Sequence, residues 1–188
     1  MIEIHDDLLS PREHREIKNT FLNDKFPLPW YWSDVVQGED YLDVDHLDNY
    51  QMTHMCYNNC TPNLAEGSGY VAINPIINHP DLNIRALIRI KANLNFRTPK
   101  IIRHGFHVDV PFDCMTGIYY VNSNDGYTEF KDGTKVESVA NRMVTFPSQM
   151  LHSGTSCTNN RRRVAINFVY FAAERIPEAE LGQYGSED

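Results

Sequence analysis

From Ile84 onward the chain reads in period two. Ile88, Ile90, Ala92, Leu94 and Phe96 alternate with Arg89, Lys91, Asn93 and Asn95. That is a strand with one apolar and one polar face. Thr98-Pro99-Lys100 breaks the run, and short apolar segments separated by turn residues come after it. The pattern predicts further strands at 101–109, 115–122, 127–131, 135–139, 142–147 and 162–171, with ends good to about three residues. Asn122-Ser123-Asn124-Asp125-Gly126 and Lys131-Asp132-Gly133-Thr134 are turn sequences. A succession of short strands of this kind specifies a mainly β fold with supporting helices. Its best reading is a double-stranded β-helix, a cupin-like jelly roll.

The first part of the chain supports that core. Ser10-Pro11-Arg12-Glu13 starts a helix: Ser10 caps, Pro11 suits the first helical position, and Glu13 completes a capping box. The helix buries Ile17, Phe21 and Leu22 and ends near Asn23. Phe26-Pro27-Leu28-Pro29-Trp30 leaves helix, because proline removes donors and biases its predecessor to extended forms. Trp30-Tyr31-Trp32 reads as hydrophobic packing. Residues 31–70 are a mixture of strand and loop with weak periodicity. A short helix is expected within 71–83, with Ile73, Ile76 and Ile77 on one side. At 188 residues the chain is expected to form one domain, 1–188. Within it, 1–83 is the support region, 84–171 the core and 172–188 a tail.

The net charge of −8 argues against a protein that grips nucleic acid through its phosphates. No apolar run reaches membrane-spanning length. The acidic start, Met1-Ile2-Glu3-Ile4-His5-Asp6-Asp7, lacks the basic and apolar regions of a signal peptide. A cytoplasmic location is expected on these grounds. Cys56, Cys60, Cys114 and Cys157 then read as free thiols. Oligomeric state is not legible.

His107-Val108-Asp109 carries the chemistry. Two ligands flanking one residue on a strand share a face and can bind one ion. Asp109 offers a hard anionic oxygen and His107 an intermediate nitrogen, a mixture that suits Fe(II). His152 lies on the loop after the strand at 142–147. A jelly roll can fold that loop back beside His107 and complete a triad that leaves metal positions open. His104 lies near the triad and reads as structural. His5, His14, His46, His54 and His79 read as surface or loop residues.

The arginine block needs sorting by face. Arg161, Arg163, Ala165 and Asn167 share one side of their strand, and Arg162, Val164, Ile166, Phe168 and Tyr170 the other. The second face could pack between sheets, leaving the first in the barrel mouth or in water. Arg161 and Arg162 read as a solvated strand entry. A buried Arg163 needs an anionic partner, which a dicarboxylate would supply through a bidentate contact. Thr116, Ile118 and Tyr120 share a face on their own strand, and the Tyr120 hydroxyl could add a second donor. Arg89 and Asn93, from the polar face of 84–96, are the candidates for the substrate side.

Residues 107–171 resemble the core of the 2-oxoglutarate- and Fe(II)-dependent dioxygenases, in their prolyl-4-hydroxylase-like branch. The segments that carry the resemblance are HVDVPFDCMTGIYYVN (107–122), GYTEF (126–130), NRMVTFPSQMLHSG (141–154) and RVAINFVYF (163–171). They cover about a third of the chain and arrive in family order. The resemblance implies that His107, Asp109 and His152 are iron ligands. It implies that Arg163 pairs with the distal carboxylate of 2-oxoglutarate and that Tyr120 supports that carboxylate. Where the family often has Gly-Gly, this chain has Gly126-Tyr127. Halogenating relatives replace the metal-binding carboxylate by a small residue, so Asp109 favours hydroxylation.

The resemblance thus implies an Fe(II) enzyme that consumes 2-oxoglutarate and O2. It would release succinate and CO2 while hydroxylating an unactivated C–H bond. A peptidyl proline or another protein side chain is the first expectation for the substrate. A free amino acid or small metabolite is the alternative. A cupin-like metal-binding protein without redox chemistry is the competing class, although the sequence offers no further ligand at the spacing that class commonly uses.

Overall fold

A computed structural model describes residues 1–25, 28–34 and 50–173. The expectations for Phe26-Pro27, for 35–49 with His46, and for the tail beyond residue 173 lie outside the described residues.

The chain opens with a short strand, β1 (Glu3–His5), and the helix α1 (Pro11–Phe21). Ser10 and Glu13 form the expected reciprocal capping box, and Ile17 and Phe21 are buried. Next come β2 (Tyr31–Asp34), β3 (Tyr50–Asn58) and β4 (Thr61–Pro62). The stretch expected to hold a helix contains a 3-10 turn (Val71–Ile73), a one-turn helix α2 (Asn74–Ile77) and a second 3-10 turn (Pro80–Leu82). The long strand β5 (Ile84–Phe96) stands where the alternation placed it. After it come β6 (Met115–Tyr120), β7 (Tyr127–Phe130), β8 (Lys135–Glu137), β9 (Met143–Pro147), β10 (His152–Gly154) and β11 (Arg162–Ala172).

All strand pairings are antiparallel. The larger sheet runs β1-β9-β6-β11-β5-β3-β2, with β4 on β3, and the smaller runs β10-β7-β8. This is the expected mainly β jelly roll. Faces are assigned by β11. Val164, Ile166, Phe168 and Tyr170 join Ile17, Phe21, Ile73 and Ile76 in one apolar cluster. The apolar face of β11 therefore packs under the helical layer and not between the sheets. A second cluster, Ile118, Tyr120, Phe130, Val136, Val144, Phe146 and Ala165, fills one end of the space between the sheets. The polar faces of β5 and β11 line the rest of that space.

Four sequence expectations are corrected. Residues 101–109 form no strand: they are tied by isolated bridges, Arg103 to Thr155 and His107 to His152. His152 begins β10 and does not lie in a loop. Tyr31 and Trp32 are 65% and 61% exposed, and only Trp30 of that trio packs against the core. At this edge of the sheet Trp32 stacks only on Tyr50, with ring centroids 4.4 Å apart, so exposed ring stacking replaces core packing. His54 is a buried residue of β3 whose ring nitrogens meet the carbonyls of Pro29 and Ser68 at 2.9 and 2.5 Å, so a polar core contact replaces the expected surface position. The four cysteines are free thiols. Among the described residues, no helix is long and apolar enough to cross a membrane.

Candidate metal and co-substrate site

The bridge between His107 and His152 builds the site. Each backbone N–H donates to the other residue's carbonyl at 3.0 Å, so the two side chains leave the backbone together and their rings lie 4.5 Å apart. The Asp109 N–H donates to the Ser148 carbonyl at 3.2 Å, anchoring the third residue to the turn after β9. Ligand atoms of His107, Asp109 and His152 all lie within 4.8 Å of one another. Among the described residues this is the one such group of His, Cys, Asp and Glu.

Backbone carbonyls orient the imidazoles. His107 Nδ1 lies 3.2 Å from the Gly105 carbonyl and His152 Nδ1 lies 3.0 Å from the Met150 carbonyl. With Nδ1–H donating, each Nε2 keeps a lone pair for a metal. His152 Nε2 stands 3.5 Å from Asp109 Oδ2. Burial, reinforced by the neighbouring His152, pushes His107 down to about 4, so its ring is neutral at physiological pH. Burial would raise the Asp109 carboxyl, but His152, the Asn167 amide, Arg89 and Thr116 outweigh it and hold Asp109 below the usual carboxylate range. An ionised carboxylate and a neutral, oriented imidazole are what a divalent ion requires. The donor set therefore fits Fe(II).

Asp109 is held from three strands. Arg89 on β5 donates to Oδ1 at 2.7 Å. Thr116 on β6 donates to Oδ2 at 2.8 Å, and Asn167 on β11 reaches the same oxygen at 3.1 Å.

A cavity of about 60 Å³ runs between the sheets from this cluster to Arg163. Arg163 is 3% exposed. Its Nε donates to Ser138 Oγ at 2.7 Å and a terminal nitrogen reaches Thr128 Oγ1 at 3.4 Å. Its guanidinium carbon lies 5.4 Å from the Tyr120 ring centroid. Burial pushes its pKa down, and no carboxylate pairs with it among the described residues. A buried guanidinium that faces a cavity and has no carboxylate partner of its own is a cradle for an anion.

No family model matches the chain, and no curated protein matches its sequence. Solved structures do match. One is a prolyl hydroxylase from Trichoplax adhaerens in complex with a hypoxia inducible factor oxygen degradation domain peptide fragment. It is 13% identical, with a TM-score of 0.62 over 90% of this chain and 83% of that one. A prolyl-4-hydroxylase of Pseudomonas putida is 14% identical, with a TM-score of 0.55 over 92% of each chain. The non-haem alpha-ketoglutarate-dependent epimerase SnoN from nogalamycin biosynthesis is 12% identical, with a TM-score of 0.62 over 92% of this chain and 78% of that one. The fold is that of the 2-oxoglutarate- and Fe(II)-dependent oxygenases.

Within that fold, His107, Asp109 and His152 come together as the sequence predicts, and Arg163 closes the far end of the cavity. Tyr120 is fully buried beneath the arginine, and its hydroxyl donates to Thr128 Oγ1 at 2.8 Å. Thr128, and not Tyr120, lines the cavity. Arg89 is on Asp109 and Asn93 lines the cavity, so the polar face of β5 points inward. Arg162 is half-buried: it pairs with Asp24 at 2.7 Å and donates to the Leu22 carbonyl at 2.8 Å, fixing the end of α1.

Sequence reasoning named three contributors without giving them a role in the site. His104 is buried against Asn95, 3.2 Å from its amide nitrogen, and lines the cavity. Burial, then Arg163 and His107, push it down to about 4. Lys91 also lines the cavity, and burial, with Arg89 adding, lowers its pKa. Both residues carried a signal, since Lys91 lies on the polar face of β5 and His104 lies three positions before His107. The third is Gly126. A Cβ there would meet the Ser156 carbonyl oxygen at 2.6 Å and Arg163 Cδ at 2.7 Å, so only glycine lets this turn close over the arginine.

Proposed function

We propose that this protein is an Fe(II)- and 2-oxoglutarate-dependent dioxygenase that hydroxylates a C–H bond. One observation carries the reading: a His-Asp-His cluster at one end of a narrow cavity and an acid-free buried arginine at the other. A non-redox metal protein that binds no anion has no use for that arginine. When bound, Fe(II) and 2-oxoglutarate supply the oxidising chemistry with O2, converting R–H to R–OH and 2-oxoglutarate to succinate and CO2.

The protein's own residues bind, orient and exclude. His107, Asp109 and His152 hold the metal through two Nε2 atoms and a carboxylate. Thr116, Asn167 and Arg89 fix that carboxylate. Arg163 grips the distal carboxylate of the co-substrate, with Thr128 and Ser138 holding the guanidinium and the Tyr120 ring beneath it. Phe146 lies edge-on to His152, with centroids 4.7 Å apart, and Ile118 and Ala165 keep that part of the wall apolar. A dry wall protects the reaction from water and strengthens the charge contacts. The presence of Asp109, where a small residue would open room for halide, supports hydroxylation.

For the substrate, the prolyl hydroxylase likeness supports a peptidyl proline or another protein side chain. The cavity-lining row Lys91, Asn93 and Asn95, beside the Arg89–Asp109 pair, favours the second reading, a free amino acid or small metabolite, because it makes that wall polar and adds a cation.

The deciding experiment is an anaerobic titration of Fe(II) and then 2-oxoglutarate into metal-free protein. A visible charge-transfer band that needs both, and is lost in His152→Ala, is the expected result. Succinate release should depend on Fe(II) and vanish in Asp109→Ala. Folded protein that takes up metal but gives no band with 2-oxoglutarate would sink the reading in favour of a non-redox metal protein.

A further inference from the structure

Resting on the oxygenase reading, we infer that the substrate oxidised is a small polar acid, held by its carboxylate on Lys91 and by a hydroxyl or ammonium group on Asn93.

Position is the first ground. β5 and β11 pair in register, with Arg163 opposite Asn95, Ala165 opposite Asn93, and Asn167 opposite Lys91. Asn167 is the residue whose amide grips Asp109. Lys91 therefore stands at the metal end of the cavity, four register pairs from the arginine that closes the other end. Asn93 lies between them, beside the short side chain of Ala165, where the wall leaves room. Lys91 is half-buried and lines the cavity, yet it makes no hydrogen bond or ion pair among the described residues.

Charge balance is the second. The distal carboxylate of 2-oxoglutarate would neutralise Arg163. The two charges of Fe(II) would be offset by Asp109 and by the keto-acid carboxylate. Arg89 keeps its 2.7 Å contact with Asp109, so Lys91, which makes no ion pair among the described residues, is the cation left with no anion of its own. A half-buried cation facing a cavity gains from a counter-charge. A substrate carboxylate provides it, whereas an internal stretch of peptide does not.

Hydrogen bonding is the third. The side-chain oxygen of Asn93 is buried and accepts no hydrogen bond, and so is that of Asn167. A dicarboxylate co-substrate has no donor to offer either oxygen. A hydroxyl or ammonium group on the substrate does, which points to the class of amino and hydroxy acids.

The test uses the full chain, loaded anaerobically with Fe(II) and 2-oxoglutarate. The probes are a panel of amino and hydroxy acids, the same compounds as carboxamides, and a proline peptide blocked at both ends. Binding is read as a perturbation of the charge-transfer band, and turnover as succinate formed once air is admitted. An acid in the panel should bind at millimolar concentration or below, and its amide at least about tenfold more weakly. Lys91→Met should abolish that preference while leaving the 2-oxoglutarate titration unchanged, which also shows that the variant is folded. Lys91→Arg should retain it. Acids and amides behaving alike, a blocked peptide binding best, or no acid perturbing the band at millimolar concentration would each overturn the inference. So would loss of 2-oxoglutarate binding in Lys91→Met, because the lysine would then serve the co-substrate. Absence of the band in the unmodified protein sinks the oxygenase reading itself, and this inference with it.

Discussion

Arg89 on β5 places a guanidinium nitrogen 2.7 Å from Oδ1 of Asp109, while Thr116 and Asn167 occupy Oδ2. The carboxylate is thus fixed in direction before any metal arrives. Groups that orient a ligand in this way tune metal affinity.

Asn167→Ala and Thr116→Val are each expected to weaken metal binding by about 10- to 100-fold, measured by competition with a chelating dye. Arg89→Met should shift affinity less than Asn167→Ala. Its loss frees the carboxylate, but it also removes a cation that repels a divalent ion. An unchanged affinity in both Thr116→Val and Asn167→Ala would show that Asp109 needs no such support.

The buried histidines make a prediction about pH. His104 and His107 are each pushed down to about 4 by burial, ahead of their charged neighbours. A histidine with a lowered folded pKa stabilises the fold fully above its unfolded value. That stability is lost as pH falls from about 6.5 towards 4, because the unfolded chain takes up the proton first. Each group contributes of the order of 3 kcal/mol across that window. The metal-free protein should therefore show a falling urea midpoint between pH 7 and 4.5, with a shallower fall in His104→Gln. Equal slopes in the two proteins would contradict the burial of a neutral His104.

The long strands were legible because their two faces differ. In β5 and β11 one face meets the helical layer and the other a polar cavity, so the period shows directly in Ile90-Lys91-Ala92-Asn93 and Arg163-Val164-Ala165-Ile166. β3 was not legible. It buries Gln51 and His54 alongside Cys56, so polar residues occupy interior positions and the alternation blurs. The edge strand β1 is three residues long, too short for any period, and exists through its ladder with β9. Residues 101–109 carried a strand-like pattern but bridge the two sheets, where single backbone pairs replace a ladder. The metal triad survived that error because the His107–His152 bridge sets it, and local strand geometry does not.

Tyr120 and Thr128 separate direct from indirect support of the co-substrate. The Tyr120 hydroxyl is spent on Thr128 Oγ1, and the threonine faces the cavity. Tyr120→Phe should cost about 1 kcal/mol of stability and leave 2-oxoglutarate affinity within about threefold, a difference of less than about 1 kcal/mol. Thr128→Val should weaken that affinity more, because it also removes a hydrogen-bond partner of Arg163. The charge-transfer titration reads both variants. A Tyr120→Phe loss larger than that of Thr128→Val would put the phenol in direct contact with the co-substrate.

Gly126 offers the sharpest test of the arginine's placement. A methyl group there meets three obstacles at once, the Ser156 carbonyl, the Arg163 stem and the Asn124 side-chain oxygen. The carbonyl belongs to backbone whose own N–H donates to the Ile102 carbonyl at 2.9 Å, so it yields poorly, and the two side chains, Arg163 and Asn124, have to move. Gly126→Ala is expected to cost about 1–3 kcal/mol of stability from overpacking. A displaced guanidinium no longer presents its fork, so 2-oxoglutarate affinity should fall by about tenfold or more, as for Arg163→Lys, which keeps the charge and loses the bidentate geometry. Metal affinity should be unchanged in both, since His107, Asp109 and His152 lie at the other end of the cavity. Calorimetric titration of metal and then of 2-oxoglutarate separates the two effects. A Gly126→Ala protein that binds 2-oxoglutarate normally would show that Arg163 does not need its present position.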